Sequence, residues 1–151
     1  EFFEKYTGVF SWHDRLQTEA VTFKRLTTAT GRQFDFPDCQ RQHNGMANYK
    51  TQIVNYPVQS VATAEIVPLG VILLHKKMKK LSLKSVVVNT VHDSVVIDTH
   101  PDEEDIINEI GPQCLLDAQQ EALDRFGLDT YIPLDVEMSH GKNWMEQEEY
   151  A

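Results

Sequence analysis

The sequence predicts an α+β fold in which helices cover one face of an antiparallel sheet. Three observations carry this expectation. Two short runs dense in Val and Ile, residues 85–91 and 94–99, are separated only by His92-Asp93, the spacing of a tight β-hairpin. Apolar residues recur at helical intervals on both sides of it, from Val58 to Leu81 and from Ile106 to Phe126. A further run, residues 131–138, alternates Leu134, Val136 and Met138 with Asp135 and Glu137, as a half-buried strand does.

The elements follow in chain order. Phe3, Tyr6, Phe10, Leu16 and Val21 are spaced for helix with a break near Thr7-Gly8, so one short and one longer helix are expected. The stretch LTTATGRQFDFPDC (26–39) turns at Gly31 and closes at Pro37, which suits a short strand pair. Residues 41–50 are polar with a turn at Asn44-Gly45, before a helical stretch that enters NYPVQS. Pro57 is a natural first-turn residue for the next helix, and Pro68 should kink that helix. His75, Lys76, Lys77, Lys79 and Lys80 suit the negative end of its dipole, with phosphate contact as the functional alternative. Beyond the hairpin, Pro101 and four acidic residues (102–105) open a helix that Gly111-Pro112 should kink or break and Gly127 should cap. The acidic tail after Trp144 is expected to fray.

Composition narrows the function classes. A chain of 151 residues with 41% hydrophobic residues can bury a core, and with no repeat or linker one compact unit is the simplest expectation. The net charge of −9 gives no overall attraction to nucleic acid, so any DNA contact must use a local basic or polar surface. Cys39 and Cys114 lack metal-ligand spacing and read as reduced, buried thiols, which points to a reducing interior. The longest apolar run, 66–74, contains Pro68 and Gly70 and is far shorter than the roughly 20 residues that cross a bilayer, so no membrane partner is expected. The chain opens without Met or signal-peptide order, and an upstream part is inferred to be missing.

Two groups carry candidate chemistry. Asp93, at the tip of a rigid hairpin, is placed to offer oxygen to a hard cation such as Mg²⁺, although Asp is also simply a favoured turn residue. A two-metal site needs at least one further carboxylate, for which Asp98, Asp135 and Glu137 are candidates. Hydrolysis with His92 as base would need a nucleophile on an elbow, and no GxSxG occurs. Asn55 and Gln59, four residues apart, are amides able to donate to the acceptors that every base pair presents in the minor groove. Pro57 between them argues against a shared helical face.

NYPVQSVATAEI (55–66), VHDSVVID (91–98) and PLDVEMSHGKNW (133–144) together resemble the C-terminal palm region of family A, polymerase I-like DNA polymerases. TGRQFDFP (30–37) resembles that family's weaker Gly-Arg segment. The resemblance implies a partial right-hand polymerase, with residues 1–50 linking fingers to palm and 51–151 forming palm, that extends a primer 3′ end using two Mg²⁺ ions. Asp93 then matches the metal-binding aspartate and His92 the histidine near the primer terminus. Asn55 and Gln59 match amides that follow the duplex minor groove, and Arg32 matches an arginine on the nucleic-acid backbone. The implied partners are primer-template DNA, deoxynucleoside triphosphates and the upstream remainder of the polymerase, in the cytoplasm of a bacterium or of a virus-infected cell, with an organelle also open.

Departures from the pattern bear on activity. Ser94 stands where many members carry Glu, Thr51 and Gln52 stand where some have a basic residue, and Pro68 interrupts a helix. Ser94 and Pro68 lean towards a viral source. The family's second metal-binding aspartate and its nucleotide-binding Arg/Lys/Tyr helix lie upstream of this stretch, so the chain alone is expected to be inactive. The alternatives are a duplex-binding module without catalysis and a metal-dependent nuclease.

Overall fold

The computed structural model describes residues 2–149, and the side chain of Phe3 falls outside that description. Contacts divide the chain into two compact units, Glu1–Val61 and Ala62–Ala151.

In the first unit, α1 (Phe2–Lys5) and α2 (Thr7–Phe23) are the short and the longer helix expected, separated at Tyr6. Lys24 ends α2 in the left-handed conformation, and the chain turns directly into β1 (Arg25–Thr27), which pairs antiparallel with β2 (Gln33–Asp35). Ala20, Leu26, Phe36, Cys39, Ala47 and Ile53 form the core. Gln17 is buried with both ends of its amide satisfied: Oε1 accepts from Ala47 N at 3.0 Å and Nε2 donates to His13 O at 3.2 Å. Arg41 donates to Asp14 (3.0 Å), Thr18 (2.6 Å) and Gly45 O (2.7 Å), tying the loop after β2 to α2.

Helix α3 (Lys50–Gln59) corrects one expectation, because Pro57 lies inside it and does not begin a new helix. Seven residues of π-helix, Ser60–Ile66, follow, and α4 (Val67–Lys80) carries Pro68 in its first turn. In a regular α-helix the ring of Pro68 would press on the carbonyl four residues back. The irregularity therefore precedes the proline as a change of hydrogen-bond register. Helical residues run from Lys50 to Lys80, and this 31-residue stretch is long and apolar enough to cross a membrane by length and composition alone. The short apolar run read from the sequence did not anticipate that. Its residues Ile53, Leu74 and Met78 nevertheless belong to the protein's own cores.

In the second unit α4 packs on α5 (Glu104–Phe126), which a 3₁₀ turn, Pro101–Glu103, precedes. A Cβ on Gly70 would meet Leu115 Cδ2 at 2.6 Å and Leu115 Cα at 3.1 Å, so glycine permits this close approach. Leu74, Met78, Ile107, Ile110 and Cys114 form the core, with Val87, Ile97 and Met138 packed against it. Of the kink or break expected at Gly111-Pro112, the break does not occur, and α5 continues through both residues. An interior proline costs about 3 kcal/mol, whereas each large apolar side chain buried is worth about 1.5–3 kcal/mol. Ile107 and Ile110 before the proline and Cys114, Ala118 and Ala122 after it are all buried. Gly127 caps the helix at φ +64, as expected.

The hairpin expected at 85–99 is present as β3 (Val86–Val91) and β4 (Ser94–Asp98). Its strands are not fully buried: Val87 and Ile97 face the core while Val86 and Val88 are exposed. The run 131–138 is not a strand among the described residues, and no third strand joins this sheet. Pro133 lacks an N–H to donate and no described segment pairs with the run, yet Leu134, Val136 and Met138 are less exposed than their neighbours. Nor does the tail simply fray, for β5 (Ser139–Gly141) pairs with β6 (Gln147–Glu149).

Candidate nucleic-acid and metal site

The hairpin tip is closed by the Val91↔Ser94 pair, leaving His92 and Asp93 as its two exposed turn residues. His92 takes φ +56, a left-handed conformation that His, Asn and Asp adopt more readily than bulkier residues. The Ser94 hydroxyl donates to Val91 O at 2.8 Å, so the side chain at this departure from the family pattern is engaged in closing the turn. Strand β3 is bulged between Val87 and Asn89, which leaves Val88 without a partner across the ladder.

The base of the hairpin is clamped by a group the sequence reading did not single out. Glu103 accepts hydrogen bonds from Lys84 N (2.9 Å), Ser85 N (2.8 Å) and Ser85 Oγ (2.6 Å), and Ser85 Oγ in turn accepts from His100 N at 2.9 Å. The Ser85 hydroxyl first, and then the Lys84 amide, hold the Glu103 carboxyl down at about 2, so it is ionised at neutral pH. Both ends of the Asp93 hairpin are thereby tied to the start of α5. The acidic run 102–105 hinted at a helix N-terminus, but no local signal marks which carboxylate turns back to the strand.

Of the carboxylates considered as partners for Asp93, Asp98 pairs with Val86 at the far end of the hairpin. Asp135 and Glu137 lie outside any strand, and Asp135 accepts from Val136 N at 3.0 Å. Among the described residues, no group of three or more His, Cys, Asp or Glu is gathered to hold a metal ion. Asp93 therefore stands as a single exposed carboxylate, a donor suited to Mg²⁺ but not by itself a metal centre.

Asn55 and Gln59 belong to the first unit, where the continuity of α3 through Pro57 puts them one turn apart on the same exposed face. The sequence argument against a shared face is overturned. Arg32 is in the same unit, in the exposed connection between β1 and β2, where its carbonyl accepts from Thr28 N at 2.9 Å. The amides and Arg32 thus share one unit, and His92 and Asp93 occupy the other.

The basic end of α4 faces acidic side chains. Lys76, Lys77 and Lys80 line a groove between α4 and α5 together with Glu109, Asp117, Glu121 and Asp124. Cys114 sits in the same groove and Cys39 in the first core; both are free thiols, and burial pushes each one up.

A sequence profile described as DNA polymerase family A matches residues 1–146. DNA polymerase I of Caldicellulosiruptor bescii is 29% identical over 147 residues, covering 97% of this chain and 16% of that protein. DNA polymerase I of Aquifex aeolicus is 26% identical over 145 residues, covering 95% and 22% respectively. The DNA polymerase of Bacillus phage SP01 is 27% identical over 104 residues, covering 68% and 11%. Among solved structures, the POL domain of Pol1 from M. smegmatis, in complex with DNA primer-template and dNTP, matches with a TM-score of 0.65 at 20% identity. That match covers 78% of this chain and 21% of the other, and it is a likeness of fold. The chain thus spans 16% to 22% of the length of the two bacterial relatives.

Proposed function

Since the chain belongs to DNA polymerase family A, we propose that it supplies the palm side of a DNA-directed DNA polymerase that adds deoxynucleotides to a primer 3′ end. The observation that carries this reading is the His92-Asp93 pair presented at the tip of a hairpin clamped at its base by Glu103. Residues 1–50 connect fingers to palm and 51–151 form palm in this reading, in a protein of the bacterial or virus-infected cytoplasm.

Asp93 is the residue that would hold a divalent ion, with Mg²⁺ the natural choice for a carboxylate donor. When bound, such ions supply charge stabilisation to the transferring phosphoryl group. The chain's own contribution is placement. The hairpin carries Asp93 on two paired strands whose other end packs on the core, so its backbone position at the tip is held. His92, adjacent in the turn, can donate to or accept from the primer terminus. Asn55 and Gln59 donate to minor-groove acceptors, which tests pair geometry without reading sequence. Arg32 contacts the nucleic-acid backbone. Primer-template DNA and deoxynucleoside triphosphates are the partners, together with the upstream remainder of the polymerase. The second metal carboxylate and the triphosphate-binding cations come from that remainder, and the isolated chain does not extend primers.

Replacement of Asp93 by Ala in the full-length protein tests the reading. Primer extension should be lost while primer-template binding stays within a few-fold. Unaltered extension would remove Asp93 from the site. A second reading, duplex binding without catalysis, is favoured by Ser94, whose hydroxyl closes the turn and adds no carboxylate. It predicts no extension by the unmodified full-length protein.

A further inference from the structure

We propose that Tyr56 is a positioning residue of the duplex-binding surface, joining the helix face that carries Asn55 and Gln59 to the hairpin that carries Arg32. This inference rests on the polymerase reading above. The Tyr56 ring lies 5.5 Å from Phe34, tilted by 49°, and 6.2 Å from Phe36, at 27°. Phe36 is a buried member of the first core, and Phe34 packs against that core from β2, two residues beyond Arg32. Tyr56 directly follows Asn55 and precedes Gln59 by three residues. The aromatic cluster is thus the link between the two parts that the duplex would touch.

The physics of the helix makes that link matter. Ile53 anchors α3 in the core, and one deep anchor sets the distance of a helix from its neighbours better than it sets the helix's rotation about its own axis. A second contact on a different neighbour fixes that rotation. With side chains reaching about 5–6 Å from the helix axis, a roll of about 20° moves their tips by about 2 Å. Amide hydrogen bonds do not survive such a shift, because they need about 2.7–3.2 Å between donor and acceptor. Aromatic pairs of this kind are worth about 0.5–1.5 kcal/mol beyond burial. Tyr56 is 43% exposed, so the core does not depend on it as it does on Ile53, which is fully buried.

The test uses the full-length polymerase and a primer-template duplex, with the dissociation constant, the extension rate and the melting temperature measured for each variant. Tyr56→Phe keeps the ring and should bind like the unmodified protein. Tyr56→Ala should weaken duplex binding about 2- to 12-fold, the range that the aromatic contact energy converts to. It should leave kcat at saturating duplex within about 2-fold, since the chemistry at Asp93 is untouched. Combined with Gln59→Ala it should cost less than the sum of the two single effects, because part of its action runs through that amide. Phe34→Leu removes the nearer of the two ring contacts from the other side and should weaken binding in the same direction, by less than Tyr56→Ala, which keeps the inference testable if Tyr56→Ala folds poorly. Unchanged binding in folded Tyr56→Ala and Phe34→Leu, or full additivity with Gln59→Ala, would overturn it. If Asn55→Ala, Gln59→Ala and Arg32→Ala also leave binding unchanged, the duplex-surface reading falls; if they weaken it and Tyr56→Ala does not, the positioning role alone falls.

Discussion

Ser85 and Glu103 join the start of the hairpin to the start of α5 through a 2.6 Å hydrogen bond from the serine hydroxyl to a carboxylate that also accepts the backbone N–H of Lys84 and of Ser85 itself. Strand and helix are separated here by the whole hairpin, so this single carboxylate closes the loop that presents His92 and Asp93.

The clamp makes stability depend on acid in a defined direction. The Glu103 carboxyl lies at about 2 in the folded chain against an ordinary value of 4.5, so its contribution is fully present above about pH 4.5 and is lost as pH falls through about 2. Melting temperatures of the unmodified protein and of Glu103→Gln, measured from pH 7 to pH 2, should differ most at neutral pH and converge at the acid end. Curves that run parallel over the whole range would contradict this role.

The close approach of α4 to α5 can be tested at Gly70. Alanine there gains up to about 1 kcal/mol of helix propensity. Its methyl group would, however, meet the Leu115 side chain at 2.6 Å and the Leu115 backbone at 3.1 Å, and overpacking of this kind costs about 1–3 kcal/mol. Gly70→Ala should therefore be destabilising by denaturant or thermal unfolding, and an increase in stability would mean that the helices separate freely.

The features that the sequence made legible are those set by neighbours in the chain. Val- and Ile-rich runs with two polar residues between them could hardly be other than the β3–β4 hairpin, and the break expected near Thr7-Gly8 falls next to it, at Tyr6 between α1 and α2. Errors arose where tertiary packing overruled a local rule. Pro57 and Pro112 both sit inside helices: several buried residues on either side of Pro112 outweigh what that proline removes, and the fully buried Ile53 offsets much of the cost of Pro57. Alternation over 131–138 reported burial correctly but not strand, since a strand also needs an edge to pair with. Glu103 was hidden among four neighbouring acids, and its partners lie 18 and 19 residues away. Of the candidate site residues, Asp93 was expected in the hairpin turn and lies there, whereas the shared face of Asn55 and Gln59 depends on α3 continuing through Pro57.

Salt dependence separates the roles proposed for Arg32 and for the amides. A phosphate contact releases about one counterion, so Arg32→Ala in the full-length protein should lower the slope of log affinity against log salt by about 1. Gln59→Ala removes a neutral donor and should weaken binding by about 0.5–1.5 kcal/mol without changing that slope. Titrations of primer-template duplex at several salt concentrations measure both quantities, and an unchanged slope in Arg32→Ala would take it off the nucleic-acid backbone.

The hairpin tip allows the sharpest comparison of adjacent residues. Ser94 spends its hydroxyl on Val91 O, an exposed bond worth about 0.5–1.5 kcal/mol at most. Ser94→Ala should therefore lower the melting temperature slightly and leave primer extension by the full-length protein within about 3-fold. Asp93→Asn preserves size and turn preference but removes the negative charge that a divalent ion requires, and each 1.36 kcal/mol of lost transition-state stabilisation is about tenfold in rate. A loss of several kcal/mol, hence at least about a thousandfold in extension rate, is expected for Asp93→Asn with duplex binding retained. If the two substitutions instead have equal effects on extension, the tip acts through its turn geometry and Asp93 is not a metal ligand.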